Sequence, residues 1–372
     1  MVDTDLKYMK LALTEARKGA GRTSPNPAVG ALIVKDDRIL SRGYHRRAGQ
    51  PHAEVEALEK IGRSCPGATL YVTLEPCNHY GKTPPCTESI LRAQIARVVV
   101  GAMDPNPGVR GGGCRFLAEN GLEVRSGVLE KACRLLNEDF FTFITTGRPF
   151  VIAKSAQTLD GFTATSLKDS RWVTNEKSRR FVHRLRDRVD AVMVGVGTIV
   201  ADNPSLTTRL KNRKGKNPLR VVLDTHLRTP VDARILNDEF PKKTLLVVGE
   251  KVAREKLDQI RERGIPVLLC PTKDGRLELQ NLMDKLGRMA IMSLLVEGGS
   301  LVLGSMIREG LVDKFHVFKA PKILGGNDGI PMASGPGVKY MRDCTTLENV
   351  EYKKFGEDML VTGYPVYFRG DR

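Results

Sequence analysis

The sequence predicts an α/β protein of two domains, and three observations predict it. The chain has 372 residues, about twice the usual domain of roughly 100 to 200. Strand-like and helix-like segments alternate through both halves, the pattern of layered α/β domains. Between the halves lies Thr145-Thr146-Gly147-Arg148-Pro149, turn-rich and without apolar periodicity, which sets the domains at residues 1–146 and 147–372.

The elements follow in order. Residues 5–19 read as a helix, and residues 28–35 and 38–44 as a strand hairpin turning at Asp36-Asp37. A helix begins near Pro51, followed by a strand at 68–74, a helix at 85–95 and a strand at 97–102. A strand at 122–126 and a helix at 130–139 complete this half. The second half opens on a strand at 150–155 and a helix at 175–188. Strands at 191–196, 219–223, 244–248 and 266–269 follow, then a helix at 279–289, a strand at 293–296 and an apolar helix at 301–307. No repeat of fixed period and no low-complexity tract interrupts the alternation.

Composition narrows the function classes. Hydrophobic residues make up 41% of the chain, enough for real cores. No uncharged apolar run reaches the roughly 18 to 20 residues of a membrane helix, and residues 1–10 lack a signal-peptide core. A cytoplasmic protein without a membrane partner is expected. Seven cysteines suit reduced thiols and metal ligation better than a disulfide framework. The net charge of +16 would attract polyanions. The basic residues are nevertheless scattered, and the densest run, Lys211, Arg213, Lys214 and Lys216, reads as a solvated loop. The expected partner is therefore a small phosphorylated molecule and not nucleic acid.

One constellation carries chemistry. His52-Ala53-Glu54 sits at a helix start, and Cys77 and Cys86 each follow a proline. One imidazole and two thiolates leave a tetrahedral zinc a fourth position for water, whose pKa then falls to near 7. Glu54, two residues from His52, is a carboxylate beside the metal that does not ligate it. It can therefore carry the protons of a hydrolytic deamination. This is the zinc-deaminase signature H-x-E followed by P-C-x-x-C, except that eight residues separate Cys77 from Cys86. A structural zinc would need a fourth protein ligand; His79 is near, but Glu54 would then have no purpose.

Pro25-Asn26-Pro27-Ala28-Val29-Gly30, His52-Ala53-Glu54 and the segment from Glu75-Pro76-Cys77 to Pro84-Pro85-Cys86 together resemble the bifunctional riboflavin-biosynthesis deaminase/reductase family. The resemblance covers residues 5 to 365, and the long interval between the cysteines is the family's own pattern. It implies a cytidine-deaminase-like three-layer α/β/α domain that removes the 2-amino group of 2,5-diamino-6-(5-phosphoribosylamino)pyrimidin-4-one. It also implies substrate contacts from Asn26, His79 and Lys82. Asp104 and Asn106 follow a strand end, where open α/β sheets place ligands. His45 serves equally as a substrate contact or a turn residue.

The second half lacks G-x-G-x-x-G. Glu297-Gly298-Gly299-Ser300 joins a strand to a helix and would present backbone N–H groups to a phosphate, although Gly-Gly also marks ordinary turns. The resemblance extends to 155–161, Ser170-Arg171-Trp172 and 197–209. It implies a dihydrofolate-reductase-like domain that reduces the ribosyl group to ribityl with NADPH. By the same resemblance Ala156, Trp172, Thr198, Asp202 and the run Gly299, Ser300, Leu301, Val302, Leu303, Gly304 and Ser305 contact NADPH. Ser170, Arg186, Leu206, Arg209 and Glu297 contact the sugar phosphate. Thr225 is a candidate near the 2′-phosphate. Trp172 would serve a core as well, Arg186 a solvated helix face, and Asp202 a cap. The family self-associates, so a homo-oligomer is expected. Two rival readings are a nucleoside or tRNA deaminase with a basic binding domain and a non-catalytic zinc-stabilised interaction protein. The 6% aromatic content is low for base stacking on single strands.

Overall fold

The computed structural model describes residues 2–80, 84–106, 112–211 and 213–367. The chain divides into two compact units, Met1–Gly147 and Arg148–Arg372.

The first unit runs α1 (Val2–Gly19), β1 (Gly30–Lys35), β2 (Arg38–Tyr44), α2 (Ala53–Glu59), β3 (Thr69–Leu74), α3 (Cys86–Arg92), β4 (Arg97–Ala102), α4 (Gly112–Glu119), β5 (Glu123–Arg125), α5 (Glu130–Leu136) and α6 (Glu138–Thr146). Its sheet has the order β2-β1-β3-β4-β5. β1 pairs antiparallel with β2 and β3, whereas β3, β4 and β5 are parallel. Asp36 and Asp37 both take left-handed φ in the β1–β2 turn, as a two-residue hairpin requires. Close approaches define the layers. A Cβ on Gly30 would lie 2.2 Å from the Ala12 carbonyl of α1, and one on Gly43 would lie 2.2 Å from the Ala53 carbonyl of α2. Gly43 pairs with Ala31, the neighbour of Gly30, so the two glycines point to opposite faces. The sheet is therefore sandwiched between α1 and α2.

Asn137 explains two differences from the sequence reading. Its side chain accepts from Ala28 N at 2.7 Å and donates to Ala28 O at 3.0 Å. With its polar groups thus engaged, Ala28 lies outside the ladder and β1 starts at Gly30. The expected helix 130–139 also breaks at Asn137, and α6 runs on through Thr146, closing on Gly147 at φ 72. The expected turn at 145–149 is thus partly helical.

The second unit runs β6 (Phe150–Gln157), β7 (Phe162–Ala164), α7 (Glu176–Arg188), β8 (Ala191–Gly195), α8 (Val196–Asp202), β9 (Leu219–Leu223), α9 (Arg234–Asn237), β10 (Thr244–Val248), α10 (Arg254–Glu262) and β11 (Val267–Leu269). There follow β12 (Thr272–Lys273), β13 (Arg276–Leu277), α11 (Leu279–Arg288), β14 (Ser293–Val296), α12 (Ser300–Arg308), β15 (Lys314–Lys319), β16 (Ile330–Pro331), β17 (Thr346–Phe355) and β18 (Asp358–Val366). The main sheet has the order β11-β10-β9-β8-β14-β6-β15-β18-β17. It is parallel from β11 to β15, and β18 and β17 add an antiparallel edge. One face buries Val151, Met193, Val221 and Val247 against Leu282 and Leu286 of α11 and Leu303 of α12. The other buries Ile152, Val192, Val194 and Val222 against Ile260 of α10. Such two-sided burial gives the near-continuous apolar runs of these strands. Among the described residues no helix is long and apolar enough to cross a membrane.

Candidate active sites

In the first unit, three loops converge at one point. His52 caps α2, Cys77 follows β3 by three residues, and Cys86 opens α3. His52 Nδ1 lies 3.2 Å from Cys86 Sγ and 3.5 Å from Cys77 Sγ, and all three donor atoms fall within 4.8 Å of one another. A tetrahedral zinc with ordinary Zn–N and Zn–S bonds would set its N···S edges at about 3.6 Å. The donor set therefore fits zinc without rearrangement. The protonic balance agrees. The Cys86 thiol and the His52 imidazolium hold the Cys77 thiolate down at about 4 against the opposing effect of burial. The bond to Cys77 raises His52 to about 9, and the bond to Cys77 together with burial pushes Cys86 well up. A divalent cation replaces the protons such a cluster shares. Thr87, fully buried, donates to Asn78 Oδ1 at 2.7 Å, which ties the ends of the long Cys77–Cys86 interval together.

Glu54 stands in the first turn of α2, 3% exposed, and burial pushes its carboxyl up. It is not among the donors. His45 is buried edge-on to His52, with ring centroids 5.3 Å apart. Its Nδ1 donates to Pro51 O at 3.0 Å, which leaves Nε2 to accept from Asn26 Nδ2 at 3.1 Å. Both ring nitrogens are engaged within the protein, which favours the turn residue of the two readings left open for His45. Asp104 is buried and accepts from Asn106 N at 2.8 Å. His79 is exposed on the loop after Cys77, and Lys82 lies outside the described residues. Glu75 was not singled out by sequence reasoning. It accepts from Asp104 N at 3.1 Å and Cys114 N at 3.0 Å, holding the loop after β4 and the start of α4 in place. Its only sequence signal is its position before Pro76-Cys77.

The second unit carries a cavity of about 1560 Å³ at the carboxyl ends of its parallel strands, where open α/β sheets bind ligands. Ala156, Trp172, Thr198, Asp202 and Thr225 line it, with Gly299 of the β14–α12 turn and Ser300, Leu301, Val302, Leu303 and Ser305 of α12. Ser170, Arg186, Arg209 and Glu297 line it too. Two expected residues do not. A Cβ on Gly304 would lie 2.0 Å from Ser334 O, so Gly304 serves close packing against that loop. Leu206 is 4% exposed and belongs to the core beside Val194 and Ile199. Trp172 is not a core residue: it stands 60% exposed, with the Arg179 guanidinium 4.4 Å from its ring centroid.

Arg186 and Glu297 form a bidentate pair at 2.6 and 2.9 Å, and Arg186 also donates to Thr207 O at 3.0 Å. Arg186 is therefore neither on a solvated face nor left with its whole fork for a phosphate. Beside the pair, from the middle of β6, Lys154 lines the cavity. Burial lowers its pKa while Glu297 opposes that shift. Sequence reasoning missed it because a single lysine in an apolar strand carries no pattern. His183 lines the same cavity, and its Nδ1 accepts from Arg209 N at 3.3 Å. Burial and the neighbouring arginines lower it to about 4.

Comparison with known proteins matches both units. The model for the cytidine and deoxycytidylate deaminase zinc-binding region matches residues 2–102, and that for the RibD C-terminal domain matches residues 149–361. Riboflavin biosynthesis protein RibD of Aquifex aeolicus is 44% identical over 96% of this chain and 98% of its own length. That of Escherichia coli is 37% identical over 95% and 98%. Among solved structures, Acinetobacter baumannii RibD aligns with a TM-score of 0.87 at 34% identity, covering 98% of this chain and 99% of its own. A diaminohydroxyphosphoribosylaminopyrimidine deaminase/5-amino-6-(5-phosphoribosylamino)uracil reductase of Thermotoga maritima aligns at 0.83 and 38%, covering 98% and 99%. Fold and sites thus define a two-domain enzyme, a zinc-dependent deaminase joined to an NADPH-dependent reductase. The chain belongs to the RibD family of riboflavin biosynthesis.

Proposed function

We propose that the first unit deaminates 2,5-diamino-6-(5-phosphoribosylamino)pyrimidin-4-one and that the second reduces the resulting 5-amino-6-(5-phosphoribosylamino)uracil to its ribityl form. The observation that carries this reading is the His52, Cys77 and Cys86 donor triangle with a buried, non-ligating Glu54 beside it. The name of the Thermotoga maritima relative, a diaminohydroxyphosphoribosylaminopyrimidine deaminase, supports the choice of substrate.

Zinc held by the three donors supplies, when bound, the Lewis acidity that lets water attack at neutral pH. Glu54 takes a proton from the attacking water and delivers it to the departing amine. The ring carbon exchanges its C–N bond for a C–O bond, and ammonia leaves. Asn26, its amide nitrogen held by His45, offers Oδ1 as an acceptor to the substrate. His79 and Lys82 are assigned to the phosphoribosyl arm by the family resemblance, and Asp104 and Asn106, after β4, are further substrate contacts.

In the second unit NADPH supplies, when bound, the hydride. Ala156, Trp172, Thr198, Asp202, Thr225, Gly299 and, from α12, Ser300, Leu301, Val302, Leu303 and Ser305 hold it. Ser170 and Arg209 take the sugar phosphate, with Arg209 anchored through its backbone to His183. The Arg186–Glu297 pair fixes the floor of the site beside Lys154, which protonates the ribosyl nitrogen of the opened imine as C1 accepts the hydride. The substrates are small molecules in the cytoplasm. In keeping with this, Lys211 pairs with Glu176, Arg213 with Asp187 and Lys216 with Asp190, so the basic loop is largely neutralised and makes a poor nucleic-acid patch.

The test follows ammonia release and NADPH oxidation together on the zinc-loaded chain given the diaminopyrimidine ribotide. Ammonia followed by NADPH loss is expected. Ammonia alone would sink the reductase reading, and neither signal would return the nucleoside or tRNA deaminase.

A further inference from the structure

The distal end of the large cavity points to how the cofactor is chosen, an inference that rests on the reading of the second unit as a nicotinamide-dependent reductase. β12 and β13 form a hairpin whose two-residue turn, Asp274-Gly275, has φ 50 and 72, left-handed at both positions as a type I′ turn requires. That turn fixes the register, which sets Lys273 directly opposite Arg276. Like charges directly opposed across two strands destabilise the pair. Both side chains line the cavity, and neither forms a hydrogen bond or ion pair among the described residues. The acidic groups lining the same region are Asp274, Glu278 and Glu309, and Arg228 and Arg308 add further cations. Two opposed cations on a rigid turn, facing a cavity, form a site that an anion would relieve.

The location says which anion. A Cβ on Gly249, just past β10, would lie 2.9 Å from Thr225 O and 3.0 Å from Thr272 Cγ2. The loop after β9 and the root of the hairpin therefore meet over the end of β10. The cavity runs from β6, where Lys154 stands, past Glu297 at the end of β14 and the ends of β8 and β9 to the hairpin, whose root lies over the end of β10. From β6 to β10 is four inter-strand spacings, or about 19 Å. A ligand reaching from the site of bond change to the hairpin is long and ends in an anion that these two cations face.

We propose that Lys273 and Arg276 clamp the phosphate monoester at the adenosine end of the cofactor and thereby select NADPH over NADH. The Arg276 guanidinium can offer a planar fork to two phosphate oxygens, and Lys273 adds a point charge from the opposite strand.

The test titrates the full zinc-loaded chain with NADPH and with NADH, comparing wild type with Lys273→Ala and Arg276→Ala. The NADPH Kd should rise on the order of 10-fold or more in Arg276→Ala, less in Lys273→Ala, with the NADH Kd unmoved in both. The unmoved NADH Kd also shows that the unit is folded. Inorganic phosphate should weaken NADPH binding to wild type and leave NADH binding unchanged. Equal weakening of both nucleotides would overturn the proposal in favour of a hairpin that only shapes the adenosine pocket. Unchanged nucleotide binding with lost phosphate binding would overturn it in favour of a separate phosphate ligand. A wild-type chain that binds neither nucleotide would remove the nicotinamide reading itself, a result distinct from failure of the clamp.

Discussion

Glu54, buried, and Lys154, half-buried, are the titratable side chains proposed to act where bonds change in the first and second units, and each should be separable from the other's chemistry. Glu54→Gln keeps all three metal donors, so zinc content should stay at one per chain while ammonia release falls on the order of 10² to 10⁴-fold. NADPH oxidation with the already deaminated substrate should be unaffected. Lys154→Met should do the reverse. Metal analysis and the two assays on both variants check this, and a Glu54→Gln enzyme with near-normal turnover would remove the proton-transfer role. The two residues also differ in legibility. Glu54 could be read because H-x-E occurs with two Pro-Cys pairs, a combination with few other uses. Lys154 could not, since only the pairing of β6 with β14 brings it beside Glu297. The engagement of both His45 nitrogens was equally invisible, because it depends on a carbonyl at Pro51 and on the fold of 26–45.

At the scale of elements, one carboxylate pins α1 to three strands. Asp5, 1% exposed, accepts from Arg97 at 2.8 and 2.9 Å, from Arg125 at 2.6 Å and from the Tyr71 hydroxyl at 2.9 Å. These bonds, led by that from Arg97, lower its pKa from 3.8 to about 2. A folded-state pKa below the unfolded one gives stability that is present above about pH 4 and lost as pH falls toward 2, worth about 2 kcal/mol for this shift. Asp5→Asn should cost the first unit about 3 kcal/mol at pH 7 and flatten its stability between pH 4 and 2. Urea melts at both pH values measure this, and an unchanged acid limb would show that other carboxylates dominate. Elements were legible where burial dictates pattern. The strands buried on both faces, β8, β9, β10 and β14, read directly as apolar runs. α8 went unread, its first residue Val196 being taken as the end of the strand, because seven residues opening on Val196-Gly197-Thr198 give no amphipathic period. β17 and β18 went unread: β17 is exposed along nearly its whole length, so Thr346–Phe355 carries no alternation to mark it. A strand held mainly by its ladder to β18 leaves almost no trace in hydrophobic pattern.

At the scale of the whole molecule, each unit closes a core around its own sheet, and each is proposed to bind one stabilising ligand. Zinc joins α2, α3 and the loop after β3 of the first unit, so a chelator should lower that unit's melting transition. The second unit holds Trp172, the only tryptophan of the chain, whose emission gives a probe of that unit alone. A nicotinamide cofactor at about 100 times its Kd adds about 2.7 kcal/mol to whichever unit binds it. For a unit of this size that is on the order of 5 to 10 °C. Calorimetry should therefore resolve two transitions, the one sensitive to chelator unmoved by NADPH and the one tracked by tryptophan emission unmoved by chelator. A single transition shifted by both ligands would mean that the units unfold as one body. The zinc site would then support the reductase fold as well as deamination, and Glu54→Gln, which keeps the metal, would have to be compared with a ligand variant such as Cys86→Ser to separate chemistry from stability.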